Sequence, residues 1–312
     1  MALYVVTGGA GFIGSHLVDA LLADGHAVRV VDDFSTGRRE NLDPRADLLV
    51  GDVADAGLVR RAIAGADGCF HLAAVASVAR GNEDWLGTHR SNQTGTIAVL
   101  DAARIAGSFP VVYASSAAIY GDQGAGALAE DARPAPRSAY GADKLGSELH
   151  ASVAFAVHGV PTTGLRFFNV YGPRQDPASP YSGVVSIFAA RIAAGLPITI
   201  HGDGRQVRDF VFVGDVVSHL RAAMARLSRQ PGAFVFNVCT GRATSVLALA
   251  QSIGVAVGRA GRIGFGAPRP GDLLASLGDP TQARAELGVT AETALPDGLA
   301  RTLAPSAISM VA

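Results

Sequence analysis

The sequence predicts an α/β chain built on a doubly wound parallel sheet, followed by a smaller, loop-rich C-terminal lobe. Three observations lead there. Short apolar runs alternate with helix-length segments through the first 168 residues, and such alternation implies crossover connections and a parallel sheet covered on both faces. The run Thr7-Gly8-Gly9-Ala10-Gly11-Phe12-Ile13-Gly14 stands where the first apolar run gives way to the first helix. Beyond residue 168, Pro173, Pro177, Pro180, Pro197, Pro231, Pro268, Pro270 and Pro280 punctuate shorter elements.

In chain order, Leu3-Tyr4-Val5-Val6-Thr7 predicts a strand over 3–7, a continuous apolar run as expected of a strand buried on both faces. A helix is expected over about 12–24, then strands at 27–32 and near 47–51. A helix at 55–64 and a strand at 68–72 follow, then a long helix from about 86 to 106. The half closes with a strand at 110–114, a helix at 138–158 and a strand at 161–167. No internal repeat or low-complexity tract interrupts this order.

Composition narrows the function. With 26 basic and 27 acidic groups the chain has no net field to attract nucleic acid or an anionic membrane, so an anionic ligand must be held by local donors. Every apolar stretch is interrupted by Gly, Asp or Arg before the roughly 18 residues that a membrane span requires. Met1 leads directly into the first strand without a charged segment or a cleavage site, and the expectation is a cytoplasmic protein. Cys69 and Cys239 lie in apolar, strand-like runs and read as buried thiols of a reducing compartment rather than a disulfide.

The glycine run has the context of a dinucleotide-binding Rossmann turn, with a strand before it and a helix after. Gly8 permits the tight turn, Gly11 lets backbone amides approach a pyrophosphate at the helix N-terminus beside Phe12 and Ile13, and Gly14 lets the helix lie close to the sheet. The second strand ends at Asp32, with Asp33 next to it, eighteen residues past Gly14. A carboxylate there accepts from both adenosine ribose hydroxyls and repels a 2′-phosphate, which selects NAD over NADP; Arg38 and Arg39 are the counter-signal. Asp52, followed by Val53, either meets the adenine amino group or caps the next helix. His71 reads as a packed core histidine, while Leu72, Ala73 and Ala74 are small enough to pass close under the cofactor.

The chain contains one lysine, Lys144, four residues after Tyr140. On a helix these positions share a face, and an ammonium beside a phenol stabilises phenolate and lowers the tyrosine pKa. Ser115-Ser116 follows the fifth strand, at the carboxyl edge of the sheet where ligands of such folds collect, and a hydroxyl there can share a substrate proton with Tyr140.

Together, the glycine loop, Asp32, Ser116 and Tyr140-x-x-x-Lys144 resemble the extended short-chain dehydrogenase/reductase family, and within it the nucleotide-sugar 4-epimerases. The resemblance implies that Ser116, Tyr140 and Lys144 are catalytic, that Lys144 also binds the nicotinamide ribose, and that Asn92 lies near the cofactor; a buried structural amide is the competing account of Asn92. It further implies diphosphate contacts from Asn169, Arg208 and Arg269, a ribose contact from Asp272 and a hexose contact from Tyr181, surface ion pairs being the alternative for both arginines. Ser276 would be a gatekeeper small enough to admit a 2-acetamido group.

The implied organisation is an NAD domain over 1–168 with a return segment near 209–238, and a nucleotide-sugar lobe over 169–208 and 239–312. The implied activity is NAD-dependent 4-epimerisation of a UDP-hexose, UDP-Glc/UDP-Gal and also UDP-GlcNAc/UDP-GalNAc, by a homodimer. Ser116-Ala117-Ala118 lacks the acid pair that related dehydratases carry, which disfavours dehydration. A UDP-glucuronate 4-epimerase or decarboxylase, an NAD(P)-dependent nucleotide-sugar reductase and a non-enzymatic cofactor sensor are the alternatives.

Overall fold

A computed structural model describes residues 1–176, 183–269 and 272–304. The first half runs β1 (Leu3–Thr7), α1 (Phe12–Ala23), β2 (Ala27–Asp32), β3 (Asp47–Val50), α2 (Ala56–Ile63), β4 (Gly68–His71), α3 (Val78–Glu83), α4 (Trp85–His89), α5 (Gly95–Ile105), β5 (Val111–Ser116), α6 (Ala139–His158) and β6 (Thr162–Phe167). The second half adds β7 (Asn169–Tyr171), α7 (Val184–Ala193), β8 (Ile198–His201), β9 (Val207–Phe212), α8 (Val213–Arg229), β10 (Ala233–Val238), β11 (Ala243–Ser245), α9 (Val246–Val257), β12 (Ile263–Gly266), β13 (Ala275–Ser276), α10 (Thr281–Leu287) and α11 (Leu295–Thr302).

Seven strands form one parallel sheet in the order β10-β6-β5-β4-β1-β2-β3. Val5 and Val6 on β1 are both buried, one on each face, as a doubly covered strand requires. On one face Val6 joins Leu17, Val18 and Leu21 of α1 and Leu220 and Met224 of α8; on the other Val5 joins Leu58 and Ile63 of α2, Val99 of α5 and Ala154 of α6. Strand order reverses at β1, which has β2 on one side and β4 on the other, and a crevice opens outside the carboxyl ends of strands at such a point.

A second sheet hangs on β9, which pairs with β7, β11 and β13. Its register sets Ser276 opposite Arg208 and Asn169 opposite Phe210, so three positions from distant parts of the sequence meet on one strand. Pro173, Pro197, Pro231 and Pro280 all fall between elements, which leaves α8 and α9 intact.

The helix expected over 86–106 differs from the observed path in one respect. Between α4 and α5 the backbone widens into a π turn over Arg90–Thr94. That turn carries Asn92 to Val75, whose N–H donates to the Asn92 Oδ1 at 2.8 Å while Asn92 Nδ2 donates to the Val75 carbonyl at 3.3 Å. The short α3 ahead of it arises from local capping, the Arg80 N–H donating to Ser77 Oγ at 3.1 Å.

Candidate functional site

A cleft of about 250 Å³ runs along the carboxyl ends of β1, β2, β4 and β5, from the glycine turn past Asp32 to Tyr140 and Lys144. At one end the backbone is shaped so that side chains cannot enter. Gly8 has φ 70°, and a Cβ on it would stand 2.7 Å from the Ala73 nitrogen; a Cβ on Gly14 would stand 2.1 Å from the Gly8 carbonyl oxygen. Helix α1 begins here with Gly11 as its N-cap, no side-chain cap and no acidic residue in its first turn. Its first amides therefore receive no side-chain cap, and the positive end of the helix dipole lies behind them, an arrangement that suits an anionic acceptor.

Asp32 is buried, accepting from the Ala10 N–H on one oxygen and the Phe34 N–H on the other, both at 2.9 Å. Burial raises its pKa and the two amides pull it back. Each oxygen keeps a lone pair for a hydroxyl donor. Asp52 and Val53 line the same cleft. Of the two accounts of Asp52, capping falls away: the N-cap of α2 is Asp55, which accepts from the Gly57 and Leu58 amides, while Asp52 accepts from the Ala54 N–H and from Arg90. Leu72, Ala73 and Ala74 form the floor, held by Thr7 Oγ1, which accepts from both the Leu72 and Ala73 amides at 3.2 Å.

His71 is buried between Thr7 Oγ1 and Thr96 Oγ1, and burial with Lys144 nearby lowers its pKa to about 3. It is a neutral core histidine. Asn92 does not line the cleft; its amide fixes Val75, which does. A second cavity of about 490 Å³ adjoins the first across Phe12, Ala74 and Val75, with Arg38, Arg80 and Arg174 in its wall.

At the other end of the cleft, α6 starts at Ser138, whose Oγ accepts from the Gly141 N–H, and stops at Gly159 with φ 68°. These caps place Tyr140 in the first turn, next to the end of β5. Lys144 is buried and donates to the Ala114 carbonyl at 2.8 Å, its nitrogen 5.8 Å from the Tyr140 ring centroid. The expected depression of the phenol pKa is not what the chain's own groups produce. Burial raises Tyr140, and only a side-chain contact with Ser116 opposes it. The ammonium spends itself on the Ala114 carbonyl instead.

Burial also lowers Lys144 to about 8. Its folded value thus lies below the unfolded one of about 10.4, so between the two the unfolded chain binds more protons and stability rises with pH; the penalty is full below about pH 8. Lys144→Met is expected to raise the unfolding free energy at pH 7 by about 1–3 kcal/mol and to flatten that rise. Urea unfolding of both proteins at pH 7 and pH 10 checks this, and a difference unchanged between the two pH values refutes it.

The residues implied for the diphosphate are brought together only in part. Arg208 is largely buried, donating to the Leu273 carbonyl at 2.8 Å and to Asp272 at 2.5 Å. The pair assigned to separate ligand groups is thus bonded to itself. Ser276 lies in register with Arg208, and Asn169 two positions along β9. Arg269 is exposed. Tyr181 lies outside the described residues. The sequence reading missed Ser35 and Thr36, which line the cleft just beyond Asp32; the turn-forming run Ser35-Thr36-Gly37 was their only signal.

The fit to a dinucleotide is therefore structural: a Cβ-free cradle, a helix N-terminus without a side-chain cap, and a buried carboxylate at the end of β2. A family model described as NAD dependent epimerase/dehydratase family matches residues 4–239. A UDP-glucose 4-epimerase of Mycolicibacterium smegmatis is 41% identical over 307 residues, 96% of this chain and 96% of that protein. A UDP-glucose 4-epimerase of Thermotoga maritima, solved with UDP-glucose, superposes with a TM-score of 0.92 at 37% identity, covering 96% of this chain and 97% of that one. The Thermus thermophilus UDP-glucose 4-epimerase, solved with NAD, gives 0.89 at 37% identity with the same coverages.

Proposed function

The chain belongs to the NAD dependent epimerase/dehydratase family, and from that premise we propose that it interconverts UDP-hexoses epimeric at C4 through a transient 4-keto sugar. The observation that carries the proposal is the meeting of Tyr140 and Lys144 at the inner end of a cleft whose outer end fits a dinucleotide, with the Ser116 side chain against the Tyr140 phenol.

In this reading Gly8, Gly11, Phe12, Ile13 and Gly14 cradle the pyrophosphate, and Asp32 with Asp33 receives the adenosine ribose. Asp52 and Val53 border the adenine, Leu72, Ala73 and Ala74 lie under the nicotinamide half, and Lys144 meets its ribose. NAD, when bound, supplies a hydride acceptor that is restored each cycle and a positively charged ring that favours phenolate at Tyr140. Tyr140 takes the proton of the sugar 4-hydroxyl, with Ser116 bridging the two oxygens, as hydride leaves C4, and gives it back to that same oxygen when the hydride is returned to the opposite face of C4. Burial, which raises the Tyr140 pKa, strengthens the phenolate as the base that takes the proton and keeps the phenol protonated until the proton is given back. Arg208, Arg269 and Asn169 anchor the diphosphate while the hexose turns, Asp272 exchanging its bond to Arg208 for one to the uridine ribose.

Incubation of the purified protein with UDP-glucose tests the activity: UDP-galactose is expected without accumulation of NADH. Stoichiometric NADH would instead identify a dehydrogenase, and net consumption of added NADH a reductase. Substrate width follows from Ser276. Its neighbour Ala275 is buried, so the alternating strand turns Ser276 the other way, on the side of Arg208. Ser276→Tyr is expected to suppress turnover of the 2-acetamido pair by about tenfold or more while sparing the plain hexoses; an equal loss on both pairs removes Ser276 from this role.

The lobes divide accordingly, with residues 1–168 and 209–238 on the dinucleotide and residues 169–208 and 239–312 on the nucleotide sugar. Two such chains pair through α5 and α6. Leu149, Val153 and Val157 form one exposed apolar row on α6 at a spacing of four, and Ile97 and Ile105 are exposed on α5. Val153→Asp is expected to yield a monomer in sedimentation, and a wild type that already sediments as a monomer refutes the dimer. No described helix is long and apolar enough to cross a membrane.

A further inference from the structure

Behind the cleft lies a buried ion pair that the proposed chemistry does not use. Glu148 on α6 follows Tyr140 and Lys144 at the same four-residue spacing, so all three share one face of the helix. Both its oxygens are held by Arg166 of β6, at 2.9 Å from Nε and 2.8 Å from Nη2, and the two side chains are 8% and 5% exposed. Glu148 Oε1 also accepts from Ser115 Oγ at 2.5 Å. Ser115 adjoins Ser116, and the preceding residue, Ala114, receives Lys144. Helix and strand are thus stitched at two successive strand positions, immediately before the serine that must face the phenol.

The far side of the pair is equally committed. Arg166 Nη1 donates to the Tyr120 hydroxyl and the Glu130 carbonyl, both at 2.8 Å, and Tyr120 donates to Asn237 Oδ1 at 2.7 Å. A buried pair is weak evidence for stability, because apolar residues of like volume serve as well. Its value lies in geometry: the guanidinium fork and the carboxylate meet in one relative orientation.

We infer that the Glu148–Arg166 pair is a positioning element for the proposed reaction, pinning α6 to β5 and β6 so that the Tyr140 phenol and the Ser116 hydroxyl stay within proton-sharing distance. The inference rests on the epimerase reading for its kinetic consequence, but not for its structural one. A displacement of reacting groups by about 1 Å costs up to about 100-fold in rate. Because contact with Ser116 is what opposes the burial of the phenol, a loosened joint also moves the Tyr140 titration upward.

The test uses NAD-loaded Glu148→Gln and, should that variant fold poorly, Ser115→Ala, which leaves the ion pair in place and deletes its bond to β5. Two quantities are read: kcat and KM on UDP-galactose, and the ultraviolet titration of the Tyr140 phenol, isolated by subtracting the same signal from Tyr140→Phe proteins. In Glu148→Gln kcat is expected to fall about 10- to 100-fold with KM nearly unchanged, and the phenol midpoint to rise; Ser115→Ala moves both the same way by less. A phenol titration that matches wild type in a folded variant overturns the inference whatever happens to kcat, since a purely structural pair would lower the melting temperature alone. A wild type inactive on every UDP-hexose refutes the proposed function separately and leaves the titration to decide the positioning role.

Discussion

Tyr140→Phe is expected to reduce epimerisation about 10³-fold, the range that a single positioned acid/base supplies, while the purified protein keeps its NAD. The substitution removes one oxygen and little volume. Helix α6 stays capped by Ser138 and Gly159, and Lys144 keeps its bond to the Ala114 carbonyl, so neither fold nor cofactor site has reason to change. What is lost is the group that exchanges the proton of the sugar 4-hydroxyl. Residual activity should no longer follow the titration of a phenol. Turnover within tenfold of wild type at unchanged NAD content would move the acid/base role elsewhere.

Gly14→Ala is expected to act at the other end of the cleft. The added methyl would lie 2.1 Å from the Gly8 carbonyl oxygen and 2.9 Å from the Gly9 Cα. Both are backbone atoms, which cannot swing aside as a flexible side chain does. Overpacking of this kind costs about 1–3 kcal/mol, and a strain of that size borne by the cofactor turn weakens NAD binding about tenfold to 100-fold. Gly126→Ala is the matched control, since nothing lies within 4 Å of its added methyl, and should leave affinity unchanged. Equilibrium dialysis of NAD against both variants separates the cases.

The fold was legible where local signals and tertiary demands agree. The strand read over 27–32 is Ala27–Asp32, and the helix read over 138–158 is Ala139–His158, because apolar periodicity and the end residues Ser138 and Gly159 act over a few positions. The glycine turn, Asp32 and the Tyr140–Lys144 spacing were legible for the same reason. What escaped depends on distant partners. The π turn at Arg90–Thr94 exists because Asn92 must reach Val75, and no helical periodicity encodes that. Glu148 and Arg166 are 18 residues apart, on different elements, and Arg208 meets Asp272 only because β13 lies beside β9. Likewise the direction in which Tyr140 titrates is set by its burial, which spacing to Lys144 does not reveal.

In the proposed reaction a hydrogen leaves C4 of the sugar and returns to it inside one closed site. UDP-glucose carrying deuterium at C4, incubated with the protein in ordinary water, tests this directly by mass spectrometry and NMR of the product. UDP-galactose with the deuterium still at C4 is expected. Product in which the label is replaced by solvent hydrogen, or label recovered in released NADH, would contradict that reaction.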